Sequence, residues 1–424
     1  MKVFVTGAGG LIGHAVVTRL LERGHTVTAL VRSSGDISLG HPSLSWVLGD
    51  VRDVELLRKE MRGSEYVVHL AARIGDEPDS RQVNVEGTKN VLSASETNDI
   101  KRLVHISTIS TKFAERGLYA DTKYEADTLV AKSPVSTVTL KFSLVYGDFE
   151  KGRLGALARF ARLGIVPLIG PGRAIYRPVY VDDAAEAIEH ALSATQTKSV
   201  FEVGGPEEVS LTSLVDRIAR EGLGKRAWIL HIPLPIGFFL ARVFSFLPRS
   251  PITRGNIIGM NESVDVDPDP FNAAFPFRPR AFSEGIRNIV AKAREREKES
   301  FALMRYVSRG MPDEYYVELY EKALKAHGLT NHTLDRVVFK NAILLGALDA
   351  ITHFTRPEGV FRKKLAIASA IYEASPPSST ALLPRQHSLV SIFFTFLRVG
   401  VFSTFKVVLG LLLVLIPNLH ARNA

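Results

Sequence analysis

The chain has 424 residues, 46% hydrophobic and 23% charged. That composition is globular, allows about two to three domains, and excludes a disordered, collagen-like or coiled-coil rod. No cysteine is present, which excludes disulfides, thiolate metal centres, iron–sulfur clusters and a cysteine nucleophile. The formal charge of +9 suits nucleic acid or anionic lipid. After Glu373 there is no acidic residue, and Arg385, Arg398, Lys406 and Arg422 stand among Leu, Val, Ile and Phe. A nucleic-acid tail would cluster its basic residues among polar ones, so lipid is expected as a partner and nucleic acid is not.

Residues 2–6 read as a strand that begins almost at Met1, with no basic stretch, apolar run and cleavage site of a secretory signal. The first domain is therefore expected on the cytoplasmic side. Thr6-Gly7-Ala8-Gly9-Gly10-Leu11-Ile12-Gly13 follows, then a helix carrying Ala15, Val16, Val17, Leu20 and Leu21. Gly24 ends that helix, and His25–Val31 form a second strand. Strand, glycine turn, helix and strand in this order make a dinucleotide site. Gly7 permits the turn, Gly10 lets backbone approach a pyrophosphate, and Gly13 lets the helix pack on the strand. Gly9, Leu11 and Ile12 complete the phosphate-facing turn at the helix N-terminus. At the end of the second strand an NAD site offers Asp or Glu to the ribose, whereas here Val31 precedes Arg32, Ser33 and Ser34. Arg32 can pair a 2′-phosphate, so NADP(H) is the expected cofactor, with NAD(H) second.

Further landmarks follow in order: Gly49-Asp50-Val51-Arg52-Asp53, Val67-Val68-His69-Leu70-Ala71-Ala72, Asn84-Val85-Glu86-Gly87-Thr88, Leu103–Thr108, Tyr119-Ala120-Asp121-Thr122-Lys123, Val145-Tyr146-Gly147 and Val181-Asp182-Asp183. With the glycine turn they resemble the extended short-chain dehydrogenase/reductase (NAD-dependent epimerase/dehydratase) family, from residue 1 to about 290. The resemblance implies an α/β fold: a Rossmann-like doubly wound parallel sheet, with a small substrate-binding part mainly after residue 147. It also implies adenine contact by Asp50 and Val51, a small-residue turn of Leu70, Ala71 and Ala72 against the cofactor, and a cofactor role for Asn84.

The same resemblance makes Thr108, Tyr119 and Lys123 the catalytic set, with Tyr119 and Lys123 also touching cofactor. The residues support that chemistry by themselves. Tyr119 and Lys123 are four apart on a helical segment and share a face. A free phenol titrates near 10, and bringing one to about 7 needs roughly 4 kcal/mol, most of which a neighbouring ammonium in a partly dry cleft supplies. Tyr119 would then exchange a proton with a substrate hydroxyl or carbonyl as hydride moves at the nicotinamide. Thr108, at a strand end, would hold the same oxygen.

Departures narrow the substrate. Lys141-Phe142 stand where the family commonly has Arg-Pro, and Arg177 lies one place off the arginine that many nucleotide-sugar members use on a diphosphate. Residues 228–262 include an apolar, Phe-rich helix over Ile236–Leu247, expected to be buried against the substrate part, with a lipid-substrate wall as second reading. This stretch resembles the members related to the complex I accessory NADPH-binding subunit and to 3β-hydroxysteroid dehydrogenases.

Beyond residue 293 no family is apparent. The domain boundaries expected are 1–293, a helical extension over 294–379 and an apolar tail over 380–424. Helices are expected over 313–327, 333–354 and 357–374, the first with a stripe of Tyr316, Leu319, Tyr320, Ala323 and Leu324. His327, His332 and His353 lack a ligand set, and no metal is expected. Leu389–Ile416 is apolar apart from Arg398 and Lys406 and is expected to contact a membrane, spanning it or lying flat.

The leading function is an NAD(P)-dependent oxidoreductase acting on a hydroxyl or carbonyl of a small-molecule, lipophilic substrate. A sugar epimerase/dehydratase is the alternative enzyme. A non-catalytic NADPH-binding subunit or assembly factor of a membrane complex is the alternative of another class. A homodimer is compatible with all three.

Overall fold

The computed structural model describes residues 1–33, 41–75, 77–147, 152–194, 198–244, 253–296, 299–308, 314–326 and 360–373. The chain divides into two compact units, Met1–Ile37 with Ser43–Lys292, and Ser38–Pro42 with Ala293–Ala424.

The first unit begins with β1 (Lys2–Thr6), α1 (Leu11–Glu22), β2 (Thr26–Val31), β3 (Leu44–Leu48), α2 (Val54–Glu60) and β4 (Tyr66–His69). It continues with α3 (Gly87–Thr97), β5 (Arg102–Thr108), α4 (Leu118–Lys132) and β6 (Thr137–Phe142). A π-helical turn over Gln82–Glu86 leads into α3. Next come β7 (Val145–Tyr146), α5 (Gly152–Arg162), β8 (Ile165–Ile169), β9 (Ile175–Tyr176), β10 (Val179–Tyr180), α6 (Val181–Leu192) and β11 (Ser199–Val203). The main sheet has seven strands in the order β11-β6-β5-β4-β1-β2-β3, all parallel. Strands covered on both faces read as near-continuous apolar runs, as Val-Phe-Val does in β1, while β5 carries His105 between Val104 and Ile106. On α1, Gly13, Val16, Val17, Leu20 and Leu21 recur at helical spacing and are buried. The strand order reverses between β1 and β4, which leaves a crevice at their C-terminal ends.

The remaining elements of this unit are β12 (Val209–Ser210), α7 (Leu211–Arg217), β13 (Trp228–Ile232), α8 (Leu234–Phe244), α9 (Arg254–Asn261), α10 (Asp269–Ala274) and α11 (Phe282–Arg296), which runs past its edge. Of these, β12, α7, β13, α9 and α11 share a core with β8 and β10, centred on Tyr146, Tyr180, Val166, Leu168, Leu214 and Phe282. The expected burial of the Phe-rich helix over 236–247 is met on one side only, and 245–247 lie outside the described residues. In α8 only Gly237 and Ala241 are buried, while Phe239 is 65% exposed and Ile236 50%. The run is apolar apart from Arg242, and the side that meets the core is the one where Gly237 packs on Ile169.

In the second unit, α12 (Glu299–Ser308), α13 (Glu314–Ala326) and α14 (Val360–Glu373) pack around Phe301, Leu303, Met304, Tyr320, Leu324 and Leu365. The Tyr320 hydroxyl donates to the Lys364 carbonyl at 3.1 Å. The buried stripe of α13 is Val317, Tyr320 and Leu324, and Leu319 faces outward. The expected helix over 333–354, His327, His332, His353 and the tail 380–424 lie outside the described residues. Among the described residues no helix is long and apolar enough to cross a membrane.

Candidate active site

The glycine turn joins β1 to α1 at the crevice. Gly7 has φ +72°, and a Cβ there would stand 2.7 Å from the Ala71 nitrogen. A Cβ on Gly13 would stand 2.2 Å from the Gly7 carbonyl oxygen. The turn therefore lies directly on the backbone that leaves β4. Gly10 is the N-cap of α1 and has no side chain to satisfy the first helical N–H groups, which suits a pyrophosphate. By this measure the residues fit a dinucleotide.

A cleft of about 540 Å³ opens at the C-terminal ends of the strands. Its wall brings together Gly7, Gly9, Gly10, Leu11, Ile12, Gly13, Arg32, Val51, Leu70, Ala71 and Ala72 with Thr108, Tyr119 and Lys123. Two sequence-selected residues stand outside that wall. Asp50 accepts from Arg52 Nε and Nη2, each at 2.9 Å, and its carboxyl is held below the usual range first by that bond. Asn84 is buried beneath the cleft, where Oδ1 accepts from the Arg73 nitrogen at 2.7 Å. Its Nδ2 donates to the Arg73 carbonyl at 3.0 Å and to Thr122 Oγ1 at 2.9 Å. Asn84 thus ties the chain after β4 to α4, the helix that carries Tyr119 and Lys123.

Thr108 ends β5 and caps a short turn over Ile109–Lys112, accepting from the Ser110 nitrogen at 3.2 Å. Tyr119 lies in the first turn of α4, and Thr122 Oγ1 donates to its carbonyl at 3.0 Å. Lys123, one turn on, is 2% exposed and donates to the Ile106 carbonyl at 2.7 Å. Burial pushes its pKa down to about 8, against the pull of Asp127. Since 8 lies above 7, the ammonium keeps its proton at neutral pH beside the phenol-bearing turn.

Below Lys123 lies a polar cluster that sequence reading missed. His105 is fully buried, with Nε2 3.5 Å from Lys123 Nζ and 3.2 Å from Asp127 Oδ1. Asp127 Oδ2 accepts from Ser107 Oγ at 2.9 Å and pairs with Lys141 Nζ at 3.1 Å. Lys141 thus serves this cluster. His69 stands opposite His105 in the β4–β5 register, with ring centroids 5.5 Å apart. Its two nitrogens meet Thr6 Oγ1 at 2.8 Å and Thr88 Oγ1 at 2.9 Å. The signal was a histidine at the paired position of neighbouring strands, visible only once the register is known. Arg177 is held by Glu208 at 3.0 Å and is not part of the cleft wall. Among the described residues no group of His, Asp and Glu could hold a metal.

With this geometry in hand, comparison with known proteins places the chain. The family model "NAD dependent epimerase/dehydratase family" matches residues 3–204. A 2-alkyl-3-oxoalkanoate reductase of Stenotrophomonas maltophilia is 33% identical over 44% of this chain and 64% of its own length, a little under two thirds. A solved dTDP-glucose 4,6-dehydratase from Bacillus anthracis, in complex with NAD, covers 70% of this chain and 97% of its own at a TM-score of 0.57. At 20% identity it shows the shared fold. A protein of Synechocystis sp., provisionally named a dihydroflavonol 4-reductase, is 35% identical over 58% of this chain and 81% of its own length. On these matches, and on the cleft they share a fold with, the chain belongs to the NAD dependent epimerase/dehydratase family.

Proposed function

We propose that the chain is an NAD(P)-dependent oxidoreductase that reduces a carbonyl, or oxidises the matching hydroxyl, on a lipophilic substrate. The observation that carries this reading is one cleft holding the glycine turn, Thr108, Tyr119 and Lys123 together. A bound dinucleotide supplies or accepts the hydride there. Gly7 to Gly13 would hold its pyrophosphate, and Arg32 its adenosine end. Tyr119 moves the proton to or from the substrate oxygen, Thr108 orients that oxygen, and the Lys123 ammonium favours the phenolate. The rest of the wall supports an apolar substrate: Phe113, Phe142, Leu154, Ile175, Val264 and Val266 line it, and among the described residues Arg32 is its one arginine. A nucleotide diphosphate would want a cation there, so an epimerase or dehydratase of nucleotide sugars is the weaker reading. Two similar proteins carry names of reductases, which agrees. The test is NADPH oxidation with long-chain 3-oxo compounds beside nucleoside-diphosphate sugars. Turnover with the sugars alone would sink the lipophilic reading.

NADPH is expected to bind more tightly than NADH, because Val31 replaces the ribose-binding acid and Arg32 can pair the 2′-phosphate. Arg32→Ala is expected to remove most of that preference, about 1.5–3 kcal/mol for a charged hydrogen bond. Fluorescence titration with both cofactors checks it, and equal affinities in the unsubstituted protein would overturn it.

The segment Leu389–Ile416 attaches the protein to a membrane, with the dinucleotide site on the cytoplasmic side. Its only charges are Arg398 and Lys406, and both suit anionic headgroups. Full-length protein is expected to pellet with membranes and resist a high-salt wash, and a truncation ending at Ser379 to be released by that wash with its dinucleotide-binding activity. A full-length protein that stays in the supernatant would rule this out.

A further inference from the structure

We propose that the first unit docks on an anionic lipid surface through the lobe built by β8, β13 and α8, separately from the apolar C-terminal segment. Two stretches of sequence, 151–181 and 222–261, contain eleven Lys and Arg and no Asp or Glu. Far apart in the chain, they meet in the structure, where β8 pairs with β13 in parallel register from Ile165↔Trp228 to Ile169↔Ile232.

This two-stranded sheet has an inner and an outer face. Val166 and Leu168 point inward and are fully buried. On the outer face Ile165 is 56% exposed, Leu230 57% and Trp228 82%. Packing continues the apolar surface onto α8, whose Gly237 lies against Ile169. The buried side of α8 carries Gly237 and Ala241, and Ile236, Phe239 and Val243 recur at helical spacing on the exposed side. Arg159, Arg162, Lys225, Arg226 and Arg242 are exposed in the same segments.

An exposed apolar face with a cationic border selects its occupant. A second copy of this chain would bring like charges together around the contact. Nucleic acid would take the cations but would leave Trp228, Leu230 and Phe239 in water. A layer of anionic headgroups satisfies both components. The cations meet phosphates, the aliphatic side chains reach the acyl boundary, and Trp suits the depth between them. The lobe also reaches the cleft, since Leu154 of α5 and Gly259 of α9 belong to its wall. Entry of substrate from the lipid side rests on the lipophilic-substrate reading above, whereas the docking itself does not.

The protein has two tryptophans, Trp46 and Trp228, so Trp46→Phe leaves Trp228 as the reporter. Full-length protein is mixed with phosphatidylglycerol/phosphatidylcholine vesicles whose acyl chains carry bromine. Trp228 emission is expected to move to the blue and to be quenched, and to respond far less to pure phosphatidylcholine. Arg162→Glu with Arg226→Glu is expected to lower the Trp228 quenching severalfold, whatever the C-terminal segment holds on the membrane. Should Trp46→Phe prove unstable, the difference between the unsubstituted protein and Trp228→Phe reports the same quenching. Protein that sediments with vesicles while Trp228 stays unquenched is tethered elsewhere, and the proposal fails. It fails equally if vesicles leave the emission unchanged, whether the lobe then pairs with a second copy or binds nucleic acid. Neither failure touches the reductase reading, which the ketone assay judges alone.

Discussion

Tyr119→Phe is expected to lower turnover by about 10²–10⁴-fold while leaving dinucleotide affinity nearly unchanged. The substitution removes one oxygen from the cleft wall and keeps the ring, so the first turn of α4 should stay in place. Its effect falls on the step in which a proton must reach the substrate oxygen. A phenol does this at neutral pH only with help, and the help here is electrostatic. Lys123 lies one turn along α4, is 2% exposed, and still carries its proton at pH 7 because its pKa is about 8. A charge in so dry a place acts on its neighbours with little screening. Lys123→Ala is therefore expected to damage both turnover and cofactor binding, and it also leaves the Ile106 carbonyl without its 2.7 Å donor. Single-turnover kinetics and cofactor titration on the two variants separate these effects. Wild-type turnover by Tyr119→Phe would remove the catalytic reading and favour a non-catalytic dinucleotide-binding subunit.

Acid is expected to destabilise the first unit well above the carboxylate range. His105 is buried, and burial first, then the Lys123 charge, holds its pKa down at about 4 against 6.5 when unfolded. His69 is held well below 6.5 by burial, then by His105 and Lys123. Both are neutral in the folded protein, while the unfolded chain takes up their protons below about pH 6.5. The unfolded state then binds more protons, so stability is complete above pH 6.5 and falls as pH drops toward 4. For His105 alone the loss is about 2 kcal/mol at pH 5 and about 3 kcal/mol near pH 4. His69 adds in the same direction. Urea midpoints between pH 7.5 and 5 measure this, with His105→Gln expected to show the shallower slope. Its absolute stability is immaterial, because only the slope is read. A flat profile in the unsubstituted protein would overturn the buried-neutral account.

Much of this was legible in the residues, because it depends on local spacing. The glycine turn, the apolar runs of β1 and β5, the Tyr119–Lys123 pair and the C-terminal helices at 314–326 and 360–373 all follow from patterns a few residues long. The all-parallel sheet follows too, since strands alternating with helices must cross over. What lies between distant segments was not legible. His69 and His105 are 36 residues apart, and only the β4–β5 register puts them side by side above Asp127. Asp50 and Asn84 keep their places in the motif, yet tertiary contacts decide that Arg52 holds one and that the other ties β4 to α4. The clearest case is α8. Its run is apolar apart from Arg242, and hydrophobic burial by itself has no direction. Which side of it meets protein depends on Ile169, and Ile169 is placed there by a strand pairing across more than sixty residues.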